Sequence, residues 1–340
     1  MSRLSTTIPR VPVHPDELVE FVRGAGDVLP GTRLWQGQSY AFETTAAFAY
    51  LAGRGLARPF GTCVTVAPLQ HPVRAALDAR SLSLLAGRSV IYGIGPGPAG
   101  LQEELLDERY ARPVEQLGGY VRRMRAALLQ LDHDGDGLPL PDDGAGPGLG
   151  GPLAPVPAPP SLIGLGVLRP AMARLAGRAA DAAITWLSPP EHLQHTLWPQ
   201  VVDAAAEAGR PAPRRIAMVA ASVVEPGRDA LAMTHHAVGG HLQHEHYRAA
   251  LAAAGVDLGT DYADQLRAMI RSGVALVGSA RHVSDGVTRL LEGGADEVVL
   301  HLSGTATAHG LEAALDDLRA IEQVVATRAG TGTRTGEESE

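Results

Sequence analysis

Eight short apolar or β-branched runs alternate with longer helical patterns along almost the whole chain, and this alternation restricts the fold more than any other feature. The runs are Leu4–Ile8, Arg33–Gln38, Gly61–Val66, Ser89–Gly95, Ser161–Leu165, Ala182–Leu187, Ile216–Val224 and Glu297–Leu302. The helical patterns stand at Pro15–Gly24, Glu43–Arg54, Val73–Ala86, Val114–Leu129, Pro170–Arg178, Glu191–Ala208, Val283–Glu292 and Leu311–Ala326. Parallel strands cannot be joined by a tight turn, so strands separated by helices imply a parallel sheet with helical crossovers. Eight such units predict an α/β fold of the closed (β/α)8 TIM-barrel type. An open doubly wound sheet is the rival, and the count of units favours the barrel.

Two segments interrupt the rhythm. Residues 132–160 are rich in Gly, Pro and Asp and too poor in apolar side chains to offset ordering entropy, which predicts a loop. Residues 227–278 read as a helical insertion before the last β/α unit. The organisation expected is therefore one barrel domain over residues 1–327 and a disordered tail over 328–340.

Charge and residue usage narrow the function. All 29 basic residues are arginine, and the absence of lysine excludes a Schiff-base lysine, a pyridoxal enzyme and a P-loop NTPase. A net charge of −8 does not provide the clustered basic field that nucleic acid requires. Cys63 is the sole cysteine, so there is no internal disulfide and no cysteine-built zinc site. No run approaches the ~18 apolar residues of a membrane span, and the first residues lack an apolar signal core. A cytoplasmic protein with no membrane or nucleic-acid partner is expected.

Several local patterns could carry chemistry. Asp132, Asp134, Asp136 and Gly137 imitate the start of a calcium loop, but Asp143 stands where a bidentate Glu belongs. A solvated acidic loop is the preferred reading there. His235, His236, His241, His244 and His246 crowd the insertion. His241 and His244 are spaced to share one helix face, yet no H-E-x-x-H pattern accompanies them, so a polar helix face is preferred over a metal site. Gly93, Gly95 and Gly97 follow one strand, and Gly164 and Gly166 follow another. Glycines allow close approach of backbone to a ligand, and two such loops suit a phosphate-bearing cofactor better than either alone.

The residues Phe60-Gly61-Thr62-Cys63-Val64, Gln70-His71-Pro72-Val73, Leu85-Ala86-Gly87-Arg88 and Ile94-Gly95-Pro96-Gly97 resemble, in order and spacing, the bacterial luciferase-like monooxygenase superfamily. The similarity continues through Pro159–Gly164, Leu175–Asp181, Val277–Ser279 and Gly293–Val299. It implies a TIM-like barrel that binds FMN or the deazaflavin coenzyme F420 at the C-terminal ends of its strands. It implies a non-proline cis peptide between Cys63 and Val64 that backs the cofactor ring, with Trp35, Thr62, Gly95, Gly97 and Trp186 beside it. The cofactor phosphate would rest on the segment Gly164, Gly166, Val167 and Leu168, with Arg169 as its charge partner.

One departure bears on the reaction. Deazaflavin-dependent sugar-phosphate dehydrogenases of this superfamily place a catalytic His and Glu where this chain has Gln38 and Pro98. Neither can exchange a proton near neutral pH, so base-assisted alcohol oxidation is disfavoured. The resemblance then implies an F420H2-dependent reductase acting on a C=C or C=N bond, as in modified-peptide natural products. Gln38 would position the substrate, and Tyr40 or His71 would deliver a proton. The alternatives are an FMN-dependent monooxygenase and a cofactor-free barrel without activity. Relatives pair through the helices beside the second and third strands, which implies a homodimer with Ala46, Ala49, Ala75 and Ala79 at the contact.

Overall fold

The computed structural model describes residues 3–132 and 157–332. The acidic calcium-like pattern lies, apart from the backbone of Asp132, outside the described residues. The strands are β1 (Leu4–Thr7), β2 (Leu34–Gln36), β3 (Phe60–Thr62), β4 (Thr65–Val66), β5 (Val90–Gly95), β6 (Ser161–Val167), β7 (Ala182–Thr185), β8 (Arg214–Val223), β9 (Ala275–Gly278) and β10 (Glu297–His301). They hydrogen-bond in the order β10-β1-β2-β3-β5-β6-β7-β8-β9, and β10 also pairs with β8. Leaving out the short β4 and β9, this is the closed order of an eight-stranded (β/α)8 barrel. Each of the eight expected strands is present, with ends moved by at most four residues and the third divided into β3 and β4.

By contact the chain divides into two compact units. One comprises residues 35–184 with 200–213. Within it β5 pairs parallel with β3, β4 and β6, in the registers Gly61↔Ile91, Thr65↔Ile94 and Gly93↔Gly164. All six residues of β5 are buried, as a continuous apolar run in a parallel sheet should be. Helices Thr44–Gly53, Pro72–Ala86, Pro113–Asp132 and Pro170–Ala179 belong to this unit. Phe48 stacks on Phe60 with ring centroids 4.4 Å apart. Asp181 ties the loop before β7 to its surroundings by accepting from the backbone N–H of Ile163 and from Arg125 and Arg210.

The other unit comprises residues up to 34, 185–199 and 214 onward. Here β10 pairs parallel with both β1 and β8, with Val298 opposite Leu4 and Ala217. The far end of β8 pairs with β9, Val223 opposite Gly278. Between β8 and β9 lie helices Ala230–Leu242, Glu245–Ala253 and Tyr262–Arg271, the expected insertion, except that its last residues, Ala275–Gly278, form the strand β9. They share a core around Val238, Leu251, Met269 and Val274 with Ala220 of β8 and Ala275 and Val277 of β9.

Four departures from the sequence expectation have identifiable causes. The expected helix Glu191–Ala208 contains a π-helical turn at Leu193–Leu197, which leaves its residue pattern helical. Helix Ser303–His309 was hidden because its Ser, Gly, Thr and Ala residues carry no apolar period. Strand β6 continues through Gly166 to Val167, two residues past the expected end, because glycine reads as a strand breaker. The last helix runs to Gly332, so residues 328–332 are not part of a disordered tail. Among the described residues no helix is long and apolar enough to cross a membrane.

Candidate active site

Strand β3 stops at Thr62 and β4 resumes at Thr65, so Cys63 and Val64 form a bulge between them. Their peptide bond is cis, at the position where the resemblance implies one. Backbone bonds pin the bulge to the segment after β2: Cys63 N–H donates to Gln36 O at 2.9 Å, and Gln38 N–H donates to Val64 O at 3.1 Å. The Thr62 and Thr65 hydroxyls on either side both donate to Gly93 O, at 2.8 and 3.1 Å. These four bonds hold the bulge from both sides.

The surroundings of Val64 lack side chains. A Cβ built on Gly95 would lie 2.8 Å from Val64 Cγ2, and one on Gly166 would lie 3.5 Å from both Val64 methyls. A Cβ on Gly37 would lie 3.4 Å from Cys63 O. Gly37, Gln38, Cys63, Val64 and Gly166 all remain partly accessible. The result is an open patch of backbone with Val64 as its main apolar side chain. The missing Cβ atoms make room for the bulge itself; Gly95 is buried, so its expected contact with a cofactor is corrected to this structural role.

The other expected site residues divide. Trp35, Thr62 and Gly164 are closed to any ligand, and their expected roles are corrected here. Trp35 is 0% exposed, and its ring occupies the space a Cβ on Gly61 would need. Thr62 is 0% exposed and spends its hydroxyl on Gly93. The space beside Gly164 is filled by Ile184 and Ile91. All three are buried among neighbours of their own unit. Gly97 adopts φ +70°, so it serves a turn that a side chain would strain. Val167 is buried within β6, leaving only Leu168 and Arg169 between β6 and helix Pro170–Ala179. Arg169 is exposed and occupies the cap position of that helix without a side-chain cap bond.

Among the expected catalytic residues, Gln38 Nε2 donates to Ser39 O at 2.9 Å, which leaves Oε1 open. Tyr40 is 69% exposed, and partial burial holds its phenol above the ordinary value, so it stays protonated. His71 is exposed and its Nδ1 accepts from Val73 N–H at 3.3 Å as the cap of helix Pro72–Ala86. Nearby, Gln70 Nε2 donates to the Tyr92 hydroxyl at 2.7 Å, and burial pushes that phenol up to about 12.

Trp186 belongs to a separate cluster in the other unit. Its ring meets His301 at 5.4 Å and His241 at 5.5 Å, both edge-on, and His241 in turn meets Tyr247 at 5.0 Å. His301 Nδ1 lies 2.8 Å from the Thr7 hydroxyl. Neither Thr7 nor His301 was singled out from sequence; the one available signal is a polar residue closing the apolar run of β10. The expected polar histidine face holds only for His235 and His236, which are exposed, with His235 bonded to the Tyr262 hydroxyl at 2.6 Å. The helix ends at Leu242 and another begins at Glu245, so His241 and His244 do not share one helix face. Among the described residues no three His, Cys, Asp or Glu gather as metal ligands.

Comparison with known proteins agrees with this architecture. The family model of luciferase-like monooxygenases matches residues 4–297. No curated protein sequence matches significantly. An F420-dependent secondary alcohol dehydrogenase in complex with an F420-acetone adduct superposes with a TM-score of 0.69 at 16% identity, covering 94% of this chain and 98% of that one. The coenzyme F420-dependent tetrahydromethanopterin reductase of Methanopyrus kandleri gives 0.65 at 16% identity, over 96% and 99% of the two chains. The FMN-bound oxygenating constituent of 3,6-diketocamphane monooxygenase from Pseudomonas putida gives 0.67 at 16% identity, over 96% and 98%.

Proposed function

The chain belongs to the luciferase-like monooxygenase family, and from that premise we propose that it is an oxidoreductase using reduced F420 to reduce a C=C or C=N bond of an organic substrate. The observation that carries the reading is the patch around Val64, where Gly37, Cys63, Val64 and Gly166 stay partly accessible to a flat tricyclic ring while the buried Gly95 makes room for the Val64 side chain. Cys63 and Val64 would back that ring, while Leu168 and Arg169, opening helix Pro170–Ala179, would hold the phosphate end. When bound, F420 supplies the hydride, and the protein supplies orientation and a dry setting.

What the chain's own residues can do favours reduction over alcohol oxidation. Gln38 offers a neutral amide, which orients a substrate but cannot take its proton. Pro98 offers no side-chain acid or base at all. Tyr40 keeps its O–H and can donate it. His71 keeps one ring nitrogen after capping its helix. A modified-peptide natural product is the substrate class we favour, and a homodimer is the form we expect to be active.

Titration of the purified protein with F420 and with FMN tests this reading. Saturable binding of F420, seen by its fluorescence, is expected. Preferential binding of FMN would support the monooxygenase alternative, which the family description itself favours. Failure of both to bind would overturn the reading and leave a cofactor-free barrel.

A further inference from the structure

We propose that Gln102 is a positioning residue of the candidate site: its buried amide fixes the turn that follows β5, and that turn seats the Cys63–Val64 bulge. Its bearing on a bound cofactor rests on the oxidoreductase reading above.

Gln102 stands out by its burial. Helix Ala99–Leu106 exposes most of its length, and its one buried residue is this amide, 4% exposed. A buried amide costs free energy unless its donors and its acceptor are paired. Here they are. Nε2 donates to Pro96 O at 2.9 Å and to Gly97 O at 3.1 Å, and Oε1 accepts from Tyr110 N–H at 2.8 Å. The backbone N–H of Gln102 also donates to Pro98 O, at 3.1 Å. One side chain thereby ties the turn before its helix to the segment after it.

The turn has little else to set its place. The parallel pairing of β5 ends with Ile94 opposite Leu165 on one side and Gly95 opposite Val66 on the other. Pro96 and Gly97 lie past both ends. Pro96 has no N–H to donate, and Gly97 takes φ +70°, which only glycine adopts without strain. The two carbonyls of this pair are the groups that Gln102 holds.

Two valines of the bulged strand lean on the same segment. Val64 Cγ2 lies 2.8 Å from the place a Cβ on Gly95 would take, and Val66 Cγ1 lies 3.3 Å from that of Gly97. Leu101 Cδ2, one residue before Gln102, lies 3.5 Å from the Gly97 position. Contacts this close pass a shift from one neighbour to the next, because a packed interior has no slack. Loosening Pro96 and Gly97 therefore loosens the seat of Val64 and, with it, Cys63.

Cys63, the sole cysteine and half-buried, reports on the bulge without any cofactor. Its thiol is labelled with dithionitrobenzoate, a reaction that requires the sulfur to meet the reagent. Gln102→Glu keeps an acceptor for Tyr110 N–H but sets a carboxylate against the Pro96 and Gly97 oxygens, so the disturbance falls on the turn. At about pH 8.5 this variant should label about three- to tenfold faster than the parent. The ratio of the two rates should fall toward one at about pH 6, because a carboxyl buried beside two carbonyls protonates above its usual range and then donates to one of them. Gln102→Leu regains no donor at any pH, so it should label faster at both by a constant ratio. Rates are also read in increasing urea, where local opening gives a shallow slope. A slope as steep as that of global unfolding would overturn the proposal, as would unchanged labelling in either folded variant or a Glu-variant ratio indifferent to pH. Where the parent binds F420, Gln102→Glu at about pH 8.5 should weaken it about three- to tenfold, and faster labelling with unchanged affinity would remove Gln102 from the site. A parent that binds neither F420 nor FMN would sink the reading above, while the labelling rates would still decide whether Gln102 seats the bulge.

Discussion

Arg228 donates to Asp317 at 2.6 Å, and the carboxylate it meets is 1% exposed. Asp317 also accepts from Val223 N–H at 2.9 Å and from the Thr305 hydroxyl at 2.6 Å. One buried carboxylate thus joins the end of β8, helix Ser303–His309 and the C-terminal helix. Removing it leaves a guanidinium that is only 11% exposed with the more exposed Glu225 as its remaining carboxylate, and leaves Val223 N–H without its acceptor. Asp317→Ala should therefore destabilise the fold by about 3–5 kcal/mol, measured by urea unfolding. A loss below about 1 kcal/mol would show that Glu225 and water suffice for Arg228.

Glycines that look alike in sequence should respond differently to substitution. A Cβ at Gly93 would lie 2.1 Å from the backbone oxygen of Thr62, which cannot move aside, so Gly93→Ala should fail to fold. At Gly95 the obstacle is the Val64 side chain, which can rotate. Gly95→Ala should fold and lose about tenfold or more in F420 affinity, because Val64 leaves its place in the patch. Circular dichroism separates the two outcomes from a simple binding defect.

Acid sensitivity should centre on the histidine cluster. Burial lowers both His241 and His301 from 6.5 to about 4 in the folded state. As pH falls below about 6.5 the unfolded chain takes up these protons first, so stability declines from there to about 4, where the loss is complete. Each histidine contributes at most about 3 kcal/mol, less where solvent reaches the ring. Denaturant unfolding at pH 7 and pH 5 should show the decline, and His241→Gln should flatten it. An unchanged slope in that variant would assign the acid sensitivity to other groups.

The chain is expected to sediment as a homodimer through a face that keeps only part of the alanines the sequence suggested, Ala46 being exposed and Ala49 partly accessible. Ala75 and Ala79 are fully buried within their own unit and cannot meet a partner. Tyr50, Leu77 and Leu85 on the same two helices are exposed at 37, 38 and 60%, an apolar surface that pairing would cover. Leu85→Glu should shift the equilibrium toward monomer at micromolar concentration. A monomeric parent protein would remove the basis of this expectation.

The sequence determined the sequence of strands and helices, because apolar periodicity is a local property that eight successive units repeated. It also located the Cys63–Val64 bulge and the glycines at 95 and 166, since a glycine requirement is written into one residue at a time. What the tertiary structure decided is that the glycines at 95 and 166 lie against Val64, whereas those at 93 and 164 lie against Ile184 and, for Gly93, Thr62. It also withdrew Trp35 and Thr62 from the site by burying them, and brought Thr7 beside His301 across 294 positions of chain. Such pairings depend on strand register and on which face of the sheet a residue occupies. A side chain's accessibility and its partners are set by residues distant in sequence, and no local pattern encodes them.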